Sequence, residues 1–273
     1  MTIIQSILLG IVQGLTEFLP ISSSGHLVIV PHLLGWDIPA GEGFIFNVLV
    51  QLPTLVAVVA YFWKDLFAIG RAFLTGLAQR QPFADPQARL GWLILAASLP
   101  AGIIGLLIKD LVEQAFSSLT ATGAFLLVTA GLLAIAERLG NRQRDLNSLS
   151  LSDALWIGLA QAMSIFPGVS RSGATITGGM LRGLQRAQAA RFSFLMSIPI
   201  MLAAGLLAVL DLLEMPNFTH LLPVFIPGFI SAAIIGYLSI RWLLGYLTRR
   251  PLTVFVVYCL VLGLLSIGVG KFG

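Results

Sequence analysis

Six stretches of this chain are long and apolar enough to cross a lipid bilayer, and two more are apolar but interrupted. A spanning helix needs roughly 20 predominantly apolar residues. Residues 44–63, 91–109, 119–137, 192–210, 222–244 and 252–270 meet that requirement. With 57% apolar and 10% charged residues, against about 25% charged in a soluble domain, the chain cannot cover its surface in water. It reads as an all-α polytopic membrane protein, one integral domain over 1–273. The net charge of +4 does not point to nucleic acid, because the basic residues sit in loops between spans. Cys259 is the single cysteine and forms no intrachain disulfide. Residues 1–20 lack a basic leader and a small-x-small cleavage site, and are expected to belong to the mature fold.

The two interrupted segments, 3–34 and 152–184, are broken by Pro, Gly and Ser. Broken helices at membrane depth are tolerated where protein buries them or a cavity lines them. Regions 64–89, 138–151, 182–191 and 241–251 carry 13 of the 16 basic residues. The opposite set of loops carries Asp37, Glu42, Asp110, Glu113, Asp211 and Glu214, with Lys109 and Lys271. The positive-inside rule places the basic set in the cytoplasm. The alternation closes only if both broken segments enter and leave on one side. Both are then re-entrant hairpins, and both termini lie outside.

The broken segments also resemble each other. A shift of 148 residues lays GIVQGLTEFLPISSSG (10–25) over GLAQAMSIFPGVSRSG (158–173) without a gap. Gly10, Gln13, Phe18, Ser22, Ser24 and Gly25 meet identical residues. An odd number of spans, three, separates the copies, so the second is inverted. The expectation is an inverted-topology repeat, with halves 1–137 and 152–273 and a functional site where the broken helices meet.

The first hairpin offers Gln13, Glu17, Ser22, Ser23, Ser24, Gly25 and His26. Gln13 and Glu17, four apart, share one helix face. Glu17 is the one acid within the apolar body, and an intramembrane ionisable group marks function by default. The bland alternatives are a structural carboxylate paired with Arg171 and a hydrogen-bonded packing histidine. The second hairpin offers Ser170, Arg171, Ser172 and Thr175. Arginine suits bidentate contact with phosphate oxygens, and a Gly/Ser-rich helix start exposes N–H groups to an anion. Together these residues describe a polyanion held within a membrane protein, near a carboxylate and an imidazole: phosphate-ester or pyrophosphate chemistry on a lipid.

QGLTEFLPISSSGHL and PGVSRSGATI resemble the two signature motifs of the BacA-type undecaprenyl-pyrophosphate phosphatases, and the resemblance covers essentially the whole chain. It implies hydrolysis of undecaprenyl pyrophosphate to undecaprenyl phosphate, the carrier recycled in peptidoglycan synthesis, and a contribution to bacitracin resistance. It implies a multi-pass protein of the bacterial inner membrane, an active site facing the periplasm, and a divalent cation, Mg²⁺ or Ca²⁺. On the motifs, Glu17, Ser23, His26 and Arg171 take catalytic places. Ser22, Ser24, Gly25, Ser170, Ser172 and Thr175 take phosphate-binding ones, with Arg171 serving both. The chain departs from many members at Gln13 and Asn47, where acids are common, and at Pro53, usually glycine. A metal would then rest on Glu17, with Gln13 nearby, plus substrate phosphates and water.

The expected partners are a polyprenyl pyrophosphate and membrane lipids. Nucleic acid is excluded and a homodimer is left open. Glu17, His26 and Arg171 are expected in one cavity. The nucleophile is open between Ser23, His26 and water, with Ser23 favoured and His26 and Glu17 assisting. A lipid-carrier flippase or anion transporter using the same inverted-repeat site is the rival reading, and a non-catalytic lipid-binding protein is another.

Overall fold

The computed structural model describes residues 1–107, 118–213 and 218–272. Lys109, Asp110, Glu113 and Glu214, assigned above to outer loops, lie outside them. Among the described residues the fold is helical, with one isolated bridge, Arg144 to Leu184, and no named strand. The first hairpin is α1 (Ile3–Phe18) and α2 (Ser23–Leu33); then come α3 (Ala40–Leu49), α4 (Gln51–Tyr61), α5 (Trp63–Ala78), α6 (Pro86–Leu107) and α7 (Leu119–Leu139). The second hairpin is α8 (Leu151–Ala162) and α9 (Arg171–Leu181), followed by α10 (Arg186–Leu213), α11 (Leu222–Leu247) and α12 (Thr253–Phe272).

Six helical stretches among the described residues are long and apolar enough to cross a membrane: Gly41–Tyr61, Pro86–Leu107, Leu119–Leu139, Arg186–Leu210, Leu222–Leu247 and Thr253–Lys271. These are the six expected spans with shifted ends. The first joins α3 to α4 through Val50, which keeps helical dihedrals; Pro53 has no N–H for the Leu49 carbonyl, so the hydrogen-bond ladder lapses there. At 1.5 Å per residue, α1, α2, α8 and α9, of 16, 11, 12 and 11 residues, fall short of the hydrocarbon core of about 30 Å. Each pair folds back on itself. A Cβ on Gly178 of α9 would sit 3.1 Å from Ala160 Cβ of α8, and Leu9 and Leu27 share one buried cluster. The sequence did not single out α5. It is amphipathic, with Trp63, Phe67, Leu74 and Leu77 exposed and Lys64 and Arg71 on the same helix, the composition of a helix lying at an interface.

Contacts between the halves come in mated pairs. α1 packs on α11, and α8, its counterpart in the second hairpin, packs on α6. α4 packs on α11 and α10 on α6, while α7 and α12 pack on each other. Small residues permit this closeness, as in other membrane helix pairs. A Cβ on Gly10 would lie 2.0 Å from the Gly228 carbonyl oxygen, and one on its repeat mate Gly158 would lie 2.3 Å from the Ala97 carbonyl oxygen. On α7 and α12, Gly123 and Gly263 each face the other's carbonyl oxygen at 2.7 and 2.8 Å from the same notional Cβ.

The four basic regions touch one another, which puts them at one end of the molecule. Asp65 accepts from Arg191 at 2.5 Å, the Leu149 carbonyl from Arg89 at 2.5 Å, and Glu137 from Arg142, Arg186 and the Leu252 N–H. Asp153, 1% exposed, accepts from Arg144 at 2.8 Å and Arg182 at 2.5 Å while closing a capping box with Ser150. Burial alone would raise its pKa, but the two arginines and the Ser150 N–H and hydroxyl overcome that and hold it well below the usual carboxylate range. At the opposite end the N-terminal ammonium pairs with Glu42.

Two predictions follow from this packing. Gly10→Leu should lower the melting temperature in detergent by the equivalent of about 3 kcal/mol or more, because the obstacle is backbone. Gly131→Leu, with nothing within 4 Å of its notional Cβ, should be near neutral. Because Asp153 has a depressed folded pKa, its contribution is present above its unfolded value near 4 and is lost as pH falls through the folded value. The wild type should lose more stability than Asp153→Asn between pH 5 and pH 2, with the variant about 1–2 kcal/mol less stable at pH 7.

Candidate active site

Each break in a hairpin leaves backbone groups without helical partners, and the third span of the other half holds them. In the second hairpin, Thr129 of α7 accepts from the Ser170 N–H at 2.9 Å and donates to the Gly168 carbonyl at 3.0 Å. Gly168 has φ +102, and a Cβ there would meet the Thr122 carbonyl oxygen at 2.4 Å, so glycine is required twice over. In the first hairpin the clamp comes from α12: Cys259 reaches the Pro20 carbonyl at 3.7 Å, and Tyr258 bonds His26 at 2.7 Å. The breaks also meet each other. Ser172 donates to the Leu19 carbonyl at 3.0 Å, and a Cβ on Gly25 would be 3.4 Å from Gly168 Cα.

Both second helices start with the same serine geometry. Ser22 caps α2 by accepting from the Gly25 N–H at 3.3 Å, and Ser170 caps α9 by accepting from the Gly173 N–H at 3.0 Å. Ser22 pairs with Ser24 at 3.3 Å and Ser170 with Ser172 at 3.1 Å. Ser22 adopts φ +69, a left-handed conformation that costs a non-glycine residue about 1 kcal/mol or more. Strain of that kind is concentrated at functional sites.

The two helix starts face one pocket of about 190 Å³, walled by Glu17, Ser22, Ser23, Ser24, Ser170 and Arg171, and closed by Gln51, Ser164, Ile165 and Val169. Glu17 is 8% exposed. One of its oxygens takes the Arg171 guanidinium; the other accepts from Ser23 Oγ at 2.5 Å and Gln13 Nε2 at 2.8 Å. Arg171 uses Nη2 for Glu17 and for the Met201 sulfur at 3.3 Å. Its Nε and Nη1 make no bond to the described residues and remain available to an anion. With Glu17 and Arg171 cancelling, the positive ends of α2 and α9 make the pocket anion-attracting.

The other predicted residues lie elsewhere. His26 does not line the pocket, so the expected convergence holds for Glu17 and Arg171 and not for the imidazole. Its Nδ1 bonds the Ser22 carbonyl at 2.7 Å and its Nε2 the Tyr258 hydroxyl. A carbonyl only accepts, so Nδ1 carries the proton and, in the neutral ring, Nε2 accepts from Tyr258. That bond holds the strained Ser22. Thr175 is buried, bonding the Arg171 carbonyl and Ser193 Oγ at 2.6 Å; Ser172 and Gly25 form the interlock between the breaks. The sequence reading missed Gln51 and Ser164. Both are polar residues in apolar runs, and that was the available signal.

The comparisons with known proteins agree with the motifs. The family described as Bacitracin resistance protein BacA matches residues 6–265. The chain belongs to the BacA family. It is 46% identical to the undecaprenyl-diphosphatase of Thermomicrobium roseum over 100% of this chain and 99% of that one. It is 45% identical to that of Chlorobaculum tepidum (97% and 95%) and 40% identical to that of Methanosphaera stadtmanae (97% of each). In this BacA-family chain the two signature motifs form the walls of one pocket.

The fixed tautomer is directly observable. In a ¹⁵N-histidine spectrum at neutral pH, one of the three histidines should carry its proton on Nδ1. In Tyr258→Phe that proton should stay, held by the Ser22 carbonyl, while the Nε2 resonance shifts as its hydrogen-bond donor is lost. A spectrum of wild type with only Nε2–H rings would show that His26 is not tied as described.

Proposed function

We propose that this chain is an undecaprenyl-diphosphatase, hydrolysing the terminal phosphoryl group of undecaprenyl pyrophosphate. The carrying observation is the bond of 2.5 Å between Ser23 Oγ and Glu17, within a pocket that also presents Arg171 and two helix N-termini. Ser23 Oγ attacks the terminal phosphorus as its proton passes to Glu17, and the P–O bond to the lipid phosphate breaks. Glu17 returns that proton to the departing lipid phosphate. Water then attacks the phosphoseryl intermediate and gives a proton to Glu17, which passes it to Ser23 Oγ as the Oγ–P bond breaks and inorganic phosphate leaves. Arg171 and the N–H groups at the starts of α2 and α9 take up the charge on the phosphoryl oxygens. His26 acts on this reading as a positioning residue that fixes Ser22 and so aims Ser23.

A divalent cation belongs to the proposal. The described residues contain no group of three or more His, Cys, Asp or Glu. The Gln13 Oε1 atom, however, is buried without a partner beside Glu17, which gives two hard oxygens and fits Mg²⁺ or Ca²⁺ shared with substrate phosphates. Glu17 and Gln13 would hold it, and it would neutralise phosphate charge. The joined basic end lies in the cytoplasm on this reading, with the protein in the bacterial inner membrane and the pocket reached from the periplasm. The mated contacts between 1–137 and 152–273 support their reading as inverted halves.

The test is phosphate release from a polyprenyl pyrophosphate by detergent-solubilised protein, where no compartments exist for transport. Wild type should turn over. Ser23→Ala should lose at least about 100-fold and Arg171→Ala about 100- to 1,000-fold. Near-normal turnover by Ser23→Ala would remove it as nucleophile; binding without release by wild type would favour a transporter or a masking protein.

A further inference from the structure

Three cavities join in a row. The pocket described above shares Gln51, Ser164 and Arg171 with a second cavity of about 130 Å³. That cavity shares Ala101, Ile200 and Ala204 with an apolar groove of about 840 Å³ between α6 and α10. The middle cavity is therefore the junction between a polar reaction pocket and a greasy channel. Gln161 lines it, is 2% exposed, and has no hydrogen-bond partner for either amide atom. Leaving such a group unpaired costs about 1–3 kcal/mol per buried donor or acceptor. A buried amide in this state, beside a cavity, is a place for a ligand.

The repeat explains why Gln161 is free. Its mate Gln13 spends Nε2 on Glu17 at 2.8 Å. The 148-residue shift places Ile165 where the first hairpin has Glu17, so Gln161 has no carboxylate to bind. It does have Arg171 across the same cavity. A donor amide beside a guanidinium selects an anionic oxygen.

We propose that Gln161 is a positioning residue that binds the lipid-attached phosphate of the substrate at this junction, with the start of the prenyl chain in the groove between α6 and α10. This rests on the proposed diphosphatase reaction. A lipid pyrophosphate has three parts in fixed order: terminal phosphate, retained phosphate, tail. The three cavities present a nucleophile, a free amide and an apolar wall in that same order. Arg171 borders both polar cavities and contacts both phosphates, while Gln161 contacts only the one that stays on the lipid. The Gln161 amide thus holds the product phosphate as the Ser23 pocket holds the one that leaves.

The experiment compares wild type with Gln161→Leu on a polyprenyl pyrophosphate, and measures binding of the corresponding polyprenyl monophosphate by calorimetry. Gln161→Leu should raise KM and weaken monophosphate binding about tenfold with kcat within a few-fold. The melting temperature should be unchanged or higher, because an orphan amide becomes apolar. A structural role would lower the melting temperature and leave monophosphate affinity intact. Ala203→Phe, in the groove, should raise KM for a long-chain substrate and not for one with a single prenyl unit. Unchanged KM and monophosphate affinity in Gln161→Leu would overturn the proposal and leave a water-filled cavity. If Ala203→Phe is silent, the groove holds bilayer lipid and the tail assignment fails. Monophosphate binding is read without turnover, so a wild type that binds through Gln161 but releases no phosphate would sink the diphosphatase reading and support this site.

Discussion

The bridge between Glu17 and Arg171 joins the two broken hairpins, and the rest of the structure is arranged to make it tolerable. Each charge alone would be costly at membrane depth. Paired, they cancel, and the hydrogen bonds from Ser23 and Gln13 satisfy the carboxylate further. The pair can exist only because both helices stop short there and turn back. Those turns in turn need partners for their exposed backbone groups. Thr129, Cys259, Ser172 and His26, the last held in turn by Tyr258, supply them. The polar centre is thus walled off from lipid by protein, the condition under which irregular backbone persists in a membrane.

The exchange of helices between halves gives this arrangement rigidity. Neither hairpin packs mainly within its own half: α1 lies on α11 and α8 on α6. The crossings at Gly10 and Gly158 bring backbone to backbone, so position is set by main chain and not by adaptable side chains. The frame is nearly symmetric and its chemistry is not. Arg171 stands where the first hairpin has Ser23, and Ile165 where it has Glu17. The two similar hairpins thus present a serine and a carboxylate on one side of a single pocket and a guanidinium on the other.

The sequence was legible where its signal is local or one-dimensional. Span lengths, charge alternation and the 148-residue shift gave the helical membrane fold and placed Glu17, Ser23 and Arg171 together, because bilayer thickness and the cost of buried charge act on the chain residue by residue. His26 was not legible: its place in the motif does not tell which way the ring points, and that depends on Tyr258, 232 residues away. Thr175 and Ser172 read as phosphate ligands by type, but their hydroxyls are spent on backbone and Ser193.

Gln51, Ser164 and the free amide of Gln161 emerged only from the fold. A polar residue in an apolar run signals that it must find a partner, and sequence cannot say whether protein supplies one. What the sequence determined alone was the membrane setting, the two polar breaks and the charges they bring into apolar surroundings. What the tertiary structure decided was which polar groups satisfy one another and which are left facing a cavity. That follows from geometry across long sequence separations: a hydrogen bond exists or not within a few tenths of an ångström, a distance no pattern in one dimension encodes.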